Sequence, residues 1–121
     1  MDRTPFSAVL EEMVAALPGT RGAAFIDWEG EAVDVSAEAR ATQARIVGAH
    51  WGIIYQQLRA ACERLDLGQV LELHLRCQQE QVFLRRISSD YYLVLWGTPA
   101  LVPARVRQLL HAAEGRLREE M

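Results

Sequence analysis

A chain of 121 residues, half of them hydrophobic and 24% charged, has the balance of one packed globular domain and leaves no room for a second core. Its net charge of −3 argues against nucleic acid or an anionic membrane as partner, since both demand a concentrated basic surface. All 13 basic residues are arginine, and those at Arg85, Arg86, Arg105, Arg107, Arg116 and Arg118 stand in local pairs among acids, the pattern of a solvated face.

Thr4 and Pro5 supply a cap and a first helical residue, and Phe6, Val9, Leu10, Met13, Val14 and Leu17 follow at helical spacing until Pro18-Gly19 stops them. The start of the chain shows no basic leader followed by an apolar run, and no apolar stretch approaches the roughly 18 to 20 residues of a membrane span, so a cytoplasmic protein is expected. Gly22 to Asp27 reads as a short strand apolar on both faces. Trp28-Glu29-Gly30 turns it into a second strand through Ala32, Val33 and Val35, completing a hairpin.

Ser36 caps a long second helix that runs to Leu65 and ends over Asp66 to Gly68. Val70 to Cys77 then alternates, with Leu71, Leu73, Leu75 and Cys77 on one face and Glu72, His74 and Arg76 on the other, as a half-buried strand near a sheet edge does. Gln81 to Ile87 and Tyr91 to Trp96 make two more strands, the last apolar on both faces and therefore central. A third helix from Leu101 to Glu119 carries Val106, Leu109, Leu110, Ala113 and Leu117 at helical spacing. The order α-ββ-α-βββ-α predicts a single α+β domain over residues 1–121, a mainly antiparallel sheet of five strands with helices on both faces.

The second helix carries two apolar patterns. Val47, Trp51, Ile54, Leu58, Ala61 and Leu65 form a broad stripe suited to cover the chain's own sheet. A narrower seam of Ile46, Ala49, Ile53, Gln56 and Ala60 is spaced as in a helix pair, with Gly48 and Gly52 beside it where another backbone can come close. Either the helix is buried on two sides of one monomer, or the seam belongs to a dimer. The edge at Leu71, Leu73 and Leu75 favours the dimer, since an unpaired edge is a liability that proteins cover or use.

Chemistry is sparse. His74 and Cys77 point to opposite faces of a strand and cannot share a metal, so a surface histidine and a core thiol are expected; Cys62 likewise reads as a buried thiol. His50 and His111 have no ligand at suitable spacing. Asp27, Glu29 and Glu31 gather at the first hairpin, where acids are ordinary turn residues. No phosphate loop, dinucleotide fingerprint, nucleophile elbow or zinc-protease motif is present, so neither enzyme activity nor a cofactor nor a metal is expected. Trp28, at a hairpin tip, either folds back on the domain or anchors a partner.

The run Phe6, Leu10, Leu17-Pro18-Gly19, Gly22-Ala23-Ala24, Asp27, Glu29-Gly30-Glu31 and Val33, closed by Tyr92-Leu93-Val94-Leu95, resembles the Roadblock/LC7 family, most closely its bacterial MglB-like members. The resemblance implies a profilin- or longin-like sheet domain that forms a homodimer, or a heterodimer with a paralogue, through the third strand and second helix. It also implies a small Ras-like GTPase bound on the second-helix side, its GTP hydrolysis or its place in cell polarity regulated by the contact. Gly52, Arg59 and Glu63, presented outward on that helix, and Trp28 are then the candidate partner contacts; Ile46, Ala49, Ile53, Gln56, Ala60, Leu71, Leu73 and Leu75 are the candidate dimer interface. The rival is an adaptor of the same fold that binds a partner other than a GTPase. A small-molecule sensor is weaker, because no polar cluster stands ready to orient a ligand.

Overall fold

The computed structural model describes residues 5–27, 29, 32–35 and 41–121. Its elements are α1 (Pro5–Ala16), β1 (Thr20–Asp27), β2 (Ala32–Val35), α2 (Ala41–Arg64), β3 (Glu72–Arg76), β4 (Gln81–Arg86), β5 (Tyr91–Gly97) and α3 (Pro103–Glu119). The five strands form one sheet in the order β2-β1-β5-β4-β3, every pairing antiparallel. β5 is central, as its two apolar faces demand, and β3 is an edge.

Period-two alternation divides the side chains between two cores. Ala23, Phe25, Phe83, Leu93 and Leu95 pack beneath α1 and α3 with Leu10, Met13, Val106, Leu110 and Leu117. Ala24, Ile26, Val82, Leu84, Tyr92, Val94 and Trp96 face the other way, towards Val47, Trp51 and Tyr55 of α2. Two glycines make the corner between α1 and β1 possible. Gly19 has φ +100°, a conformation that L side chains rarely adopt. A Cβ on Gly22 would stand 2.3 Å from the ring of Trp96, so its absence is what lets the indole lie against β1.

Several boundaries and burials differ from expectation. α3 starts at Pro103 because Leu101 is withdrawn into the core and Val102 occupies the cap position. Val70 and Leu71 precede β3, although the Leu71 carbonyl already accepts the Arg86 amide at 2.9 Å. α2 gives way to a turn in which Asp66 and Gly68 take positive φ. Ser36, Gly30 and Trp28 lie outside the described residues.

The sheet-facing line of α2 is centred on Gly52 and Tyr55, both buried, with Trp51 beside them; Leu65, expected in the core, is 68% exposed beyond the helix end. Tyr55 wins this position because it serves two needs at once. Its ring stacks on Tyr92 with centroids 5.2 Å apart, and its hydroxyl donates to the Val70 carbonyl at 3.3 Å. The thiols are not core residues either: Cys62 is half-buried and Cys77 exposed, the latter in the turn where its amide bonds the Glu80 carbonyl at 2.9 Å.

Candidate interaction surface

Helical geometry puts about 100° between successive residues, so Ile46, Ile53 and Ala60 fall on one narrow strip roughly opposite Tyr55. Ile46 is 55% exposed and Ile53 is 62% exposed, Ala49 and Ala60 are exposed beside them, and Gln56 is half-buried at the strip's flank. Just before β3, Leu71 is 64% exposed; on β3, Leu75 is 36% exposed and Leu73 packs against the α2-side core. The structure thus puts the eight predicted dimer positions on the α2 side, Ile46, Ala49, Ile53, Ala60, Leu71 and Leu75 exposed and Gln56 and Leu73 half-buried. Among the described residues the outer rim of β3 has no neighbouring strand in the sheet.

Dimensions explain why this side is incomplete. Strands about 4.8 Å apart make a five-stranded sheet roughly 19 Å wide between its outer strands, while one helix covers about 10 Å. α1 and α3 together can cover their face. α2, lying nearest β1 and β2, cannot cover the half that ends at β3.

The expected partner contacts are less uniform. Gly52 is buried, not presented outward. Arg59 is half-buried and Glu63 is exposed, and Trp28 lies outside the described residues. Arg59 and Glu63 line a groove of about 210 Å³ between the end of α2 and the sheet, with Tyr55, Val70, Arg86 and Ser89 completing its walls. Burial pushes the Tyr55 phenol above its ordinary value, and the nearby positive charges of Arg59 and Arg86 draw it partly back.

The α1/α3 side is electrostatically closed by comparison. Arg85 Nε donates to Glu114 Oε1 at 2.6 Å, and its Nη1 to Glu72 Oε2 at 3.3 Å. Arg118 reaches the second oxygen of Glu114 at 3.0 Å, and Arg116 pairs with Glu12 across α1 and α3. Burial alone would raise the Glu114 carboxyl and is the strongest single influence on it. The bonds and charges of Arg85 and Arg118 together outweigh it and hold the group below its ordinary value.

Sequence reasoning overlooked Gln81, a buried polar side chain only 1% exposed. Its amide nitrogen donates to the carbonyls of Thr98, Pro99 and Leu101, tying β4 to the approach to α3. That orientation leaves Oε1 to accept from His74 Nε2 at 2.8 Å, while the imidazole stacks on Phe83 at 4.3 Å. His74 is therefore half-buried, contrary to the surface position expected. The available signal was the strand pattern, which puts Gln81 on the same face as Phe83.

Among the described residues no group of three or more His, Cys, Asp or Glu could hold a metal ion, and no helix is long and apolar enough to cross a membrane. What the geometry defines is a sheet domain with one face covered by two helices and, on the other, one helix with exposed apolar residues beyond it.

Neither a protein-family model nor a curated protein matches the sequence. Solved structures do match the fold. A Roadblock/LC7 domain from Streptomyces avermitilis superposes with a TM-score of 0.87 at 18% identity, over 93% of this chain and 94% of that one. Myxococcus xanthus MglB gives 0.86 at 11% identity, over 98% and 96%. MglC from the same organism gives 0.68 at 27% identity, over 98% and 100%. The chain is a domain of the Roadblock/LC7 fold, with MglB among its structural neighbours.

Proposed function

We propose that this chain is a non-catalytic regulator that pairs with a second copy through α2 and β3 and binds a small Ras-like GTPase on the α2 side of the dimer, in the cytoplasm. The observation that carries the proposal is the exposed apolar seam of Ile46, Ala49, Ile53 and Ala60 beside the exposed edge residues Leu71 and Leu75. A second α2 laid on this seam takes its apolar side chains out of water, and paired β3 edges continue the sheet across the two-fold axis. The neighbours named MglB and MglC support a regulatory or scaffold role, as does the likeness of Leu17-Pro18-Gly19 and Gly22-Ala23-Ala24 to GTPase-partnering members of the family.

The mechanism is one of differential binding. The switch segments of a GTPase are mobile, and a rigid helical platform stabilises the conformation it fits best, so hydrolysis or location is governed without any catalytic group from this chain. Arg59, Glu63 and Trp28 are the proposed contacts. A pull-down from native cytoplasm identifies the GTP-loaded partner; its affinity then falls for Arg59→Glu with the dimer intact, whereas Arg116→Glu on α3 has little effect. Equal loss from both variants, or loss only from Arg116→Glu, puts the partner on the opposite face and overturns the proposal.

A further inference from the structure

Among the arginines whose side chains are described, Arg59, Arg85 and Arg86 are the half-buried ones. Arg85 and Arg86 are consecutive on β4, so their side chains go to opposite faces of the sheet. Arg85 is neutralised by two carboxylates, Glu72 and Glu114. Arg86 turns to the α2 side and lines the same groove as Arg59, and no ion pair within 4.0 Å joins either guanidinium to a carboxylate among the described residues. Partly burying two like charges together is costly unless an anion joins them.

The space between them is suited to one. The groove's volume of about 210 Å³ is several times the roughly 30 Å³ share of a water molecule. Its donors come from three directions: Arg59 from the helix, Arg86 from the strand beneath, and Gln69 and Ser89 from the two loops. A planar carboxylate is satisfied by a single guanidinium fork, whereas two forks from different elements with an added hydroxyl and amide match the outward-pointing oxygens of a tetrahedral group. Glu63, exposed on the groove wall, is the one acid lining the groove among the described residues.

We propose that the groove formed by Arg59, Arg86, Gln69 and Ser89 is a binding site for one phosphoryl group, either free phosphate or the phosphate of a small ester. The inference needs neither the dimer nor a GTPase. It is tested by titrating the full-length, isotope-labelled chain with inorganic phosphate at constant ionic strength, and following amide shifts of residues 68–70, 86 and 89. Saturable shifts at these positions are expected. Arg59→Gln and Arg86→Gln each weaken binding about tenfold or more, Glu63→Gln strengthens it, and Arg64→Gln, an exposed arginine on the same helix, leaves it unchanged. A parallel titration with phenyl phosphate separates the sources: tighter binding than inorganic phosphate identifies an ester, equal or weaker binding the free ion. Thermal melts establish that the variants fold, and Arg59→Gln carries the test alone if Arg86→Gln does not. Acetate producing the same shifts as phosphate, or wild-type affinity in both arginine variants, overturns the proposal. So does loss of dimer in Arg86→Gln without phosphate binding in the parent, which makes the occupant a carboxylate of the second copy.

Discussion

Under α1 and α3 the sheet buries Phe25, Phe83, Leu93 and Leu95 to 2% exposure or less, while on the α2 side Ile46, Ile53, Leu71 and Leu75 stay between 36% and 64% exposed. Both faces are built from the same strands, and both receive aliphatic and aromatic side chains in alternation. The difference is the number of helices available to each. Two helices seal one face, whereas one helix leaves part of the other exposed. The proposed dimer assigns the first face to folding and the second to association, and mutation should separate the two uses.

The largest effect is expected on the sealed face. Phe83→Ala removes a ring that packs under α3 and against His74, and should cost about 3–5 kcal/mol of unfolding free energy in a denaturant titration. A loss below about 1 kcal/mol would mean that this face is not the core of the monomer. On the open face, Ile53→Asp puts a carboxylate into a seam that association is proposed to desolvate, and roughly 3 kcal/mol, or about a hundredfold in dimer dissociation, is expected. Sedimentation at micromolar concentration reads the result: a monomer with an unchanged circular dichroism spectrum supports the division, and a persistent dimer removes Ile53 from the interface.

An intermediate effect tests the boundary between the faces. Gly22→Ala forces a methyl against the Trp96 indole, which must tilt away from β1 on the α2 side. Overpacking of this kind costs about 1–3 kcal/mol. The melting temperature should fall, and a variant as stable as the parent would show that the indole has room to move.

These residues also mark what the sequence makes legible. The alternation of Val70 to Cys77 and the doubly apolar Tyr91–Trp96 identify an edge and a centre, because a two-residue period reports directly which side of a sheet a residue takes. The exposure of Ile46 and Ile53 on α2 was readable from helical spacing in the same way. The facing of α2 was not: Ile54, Leu58 and Leu65 have the hydropathy of a core stripe, yet Gly52 and Tyr55 occupy it, since hydropathy does not show that a phenol finds the Val70 carbonyl. Nor does periodicity show that Arg59 and Arg86 share a groove, or that Gln81 satisfies three carbonyls, because such partners lie far apart along the chain and meet only through the topology.

The smallest effect concerns the charges that distinguish Arg85 from Arg86. Glu114 is held below its ordinary carboxyl value of 4.5 in the folded protein by Arg85 and Arg118, despite a burial that opposes this. A carboxyl depressed by folding contributes stability that is fully present above its unfolded value and is lost as pH falls through its folded one. The parent should therefore exceed Glu114→Gln by at most about 1 kcal/mol at neutral pH, as expected for a pair still partly in contact with solvent. That margin should shrink only below about pH 4.5, as the parent takes up the proton that the amide cannot. Chemical denaturation of both proteins from pH 7 down to pH 3 measures it. A margin constant across that range would mean that Glu114 acts through packing and not through charge, and the contrast between a neutralised Arg85 and an unneutralised Arg86 would lose its electrostatic basis.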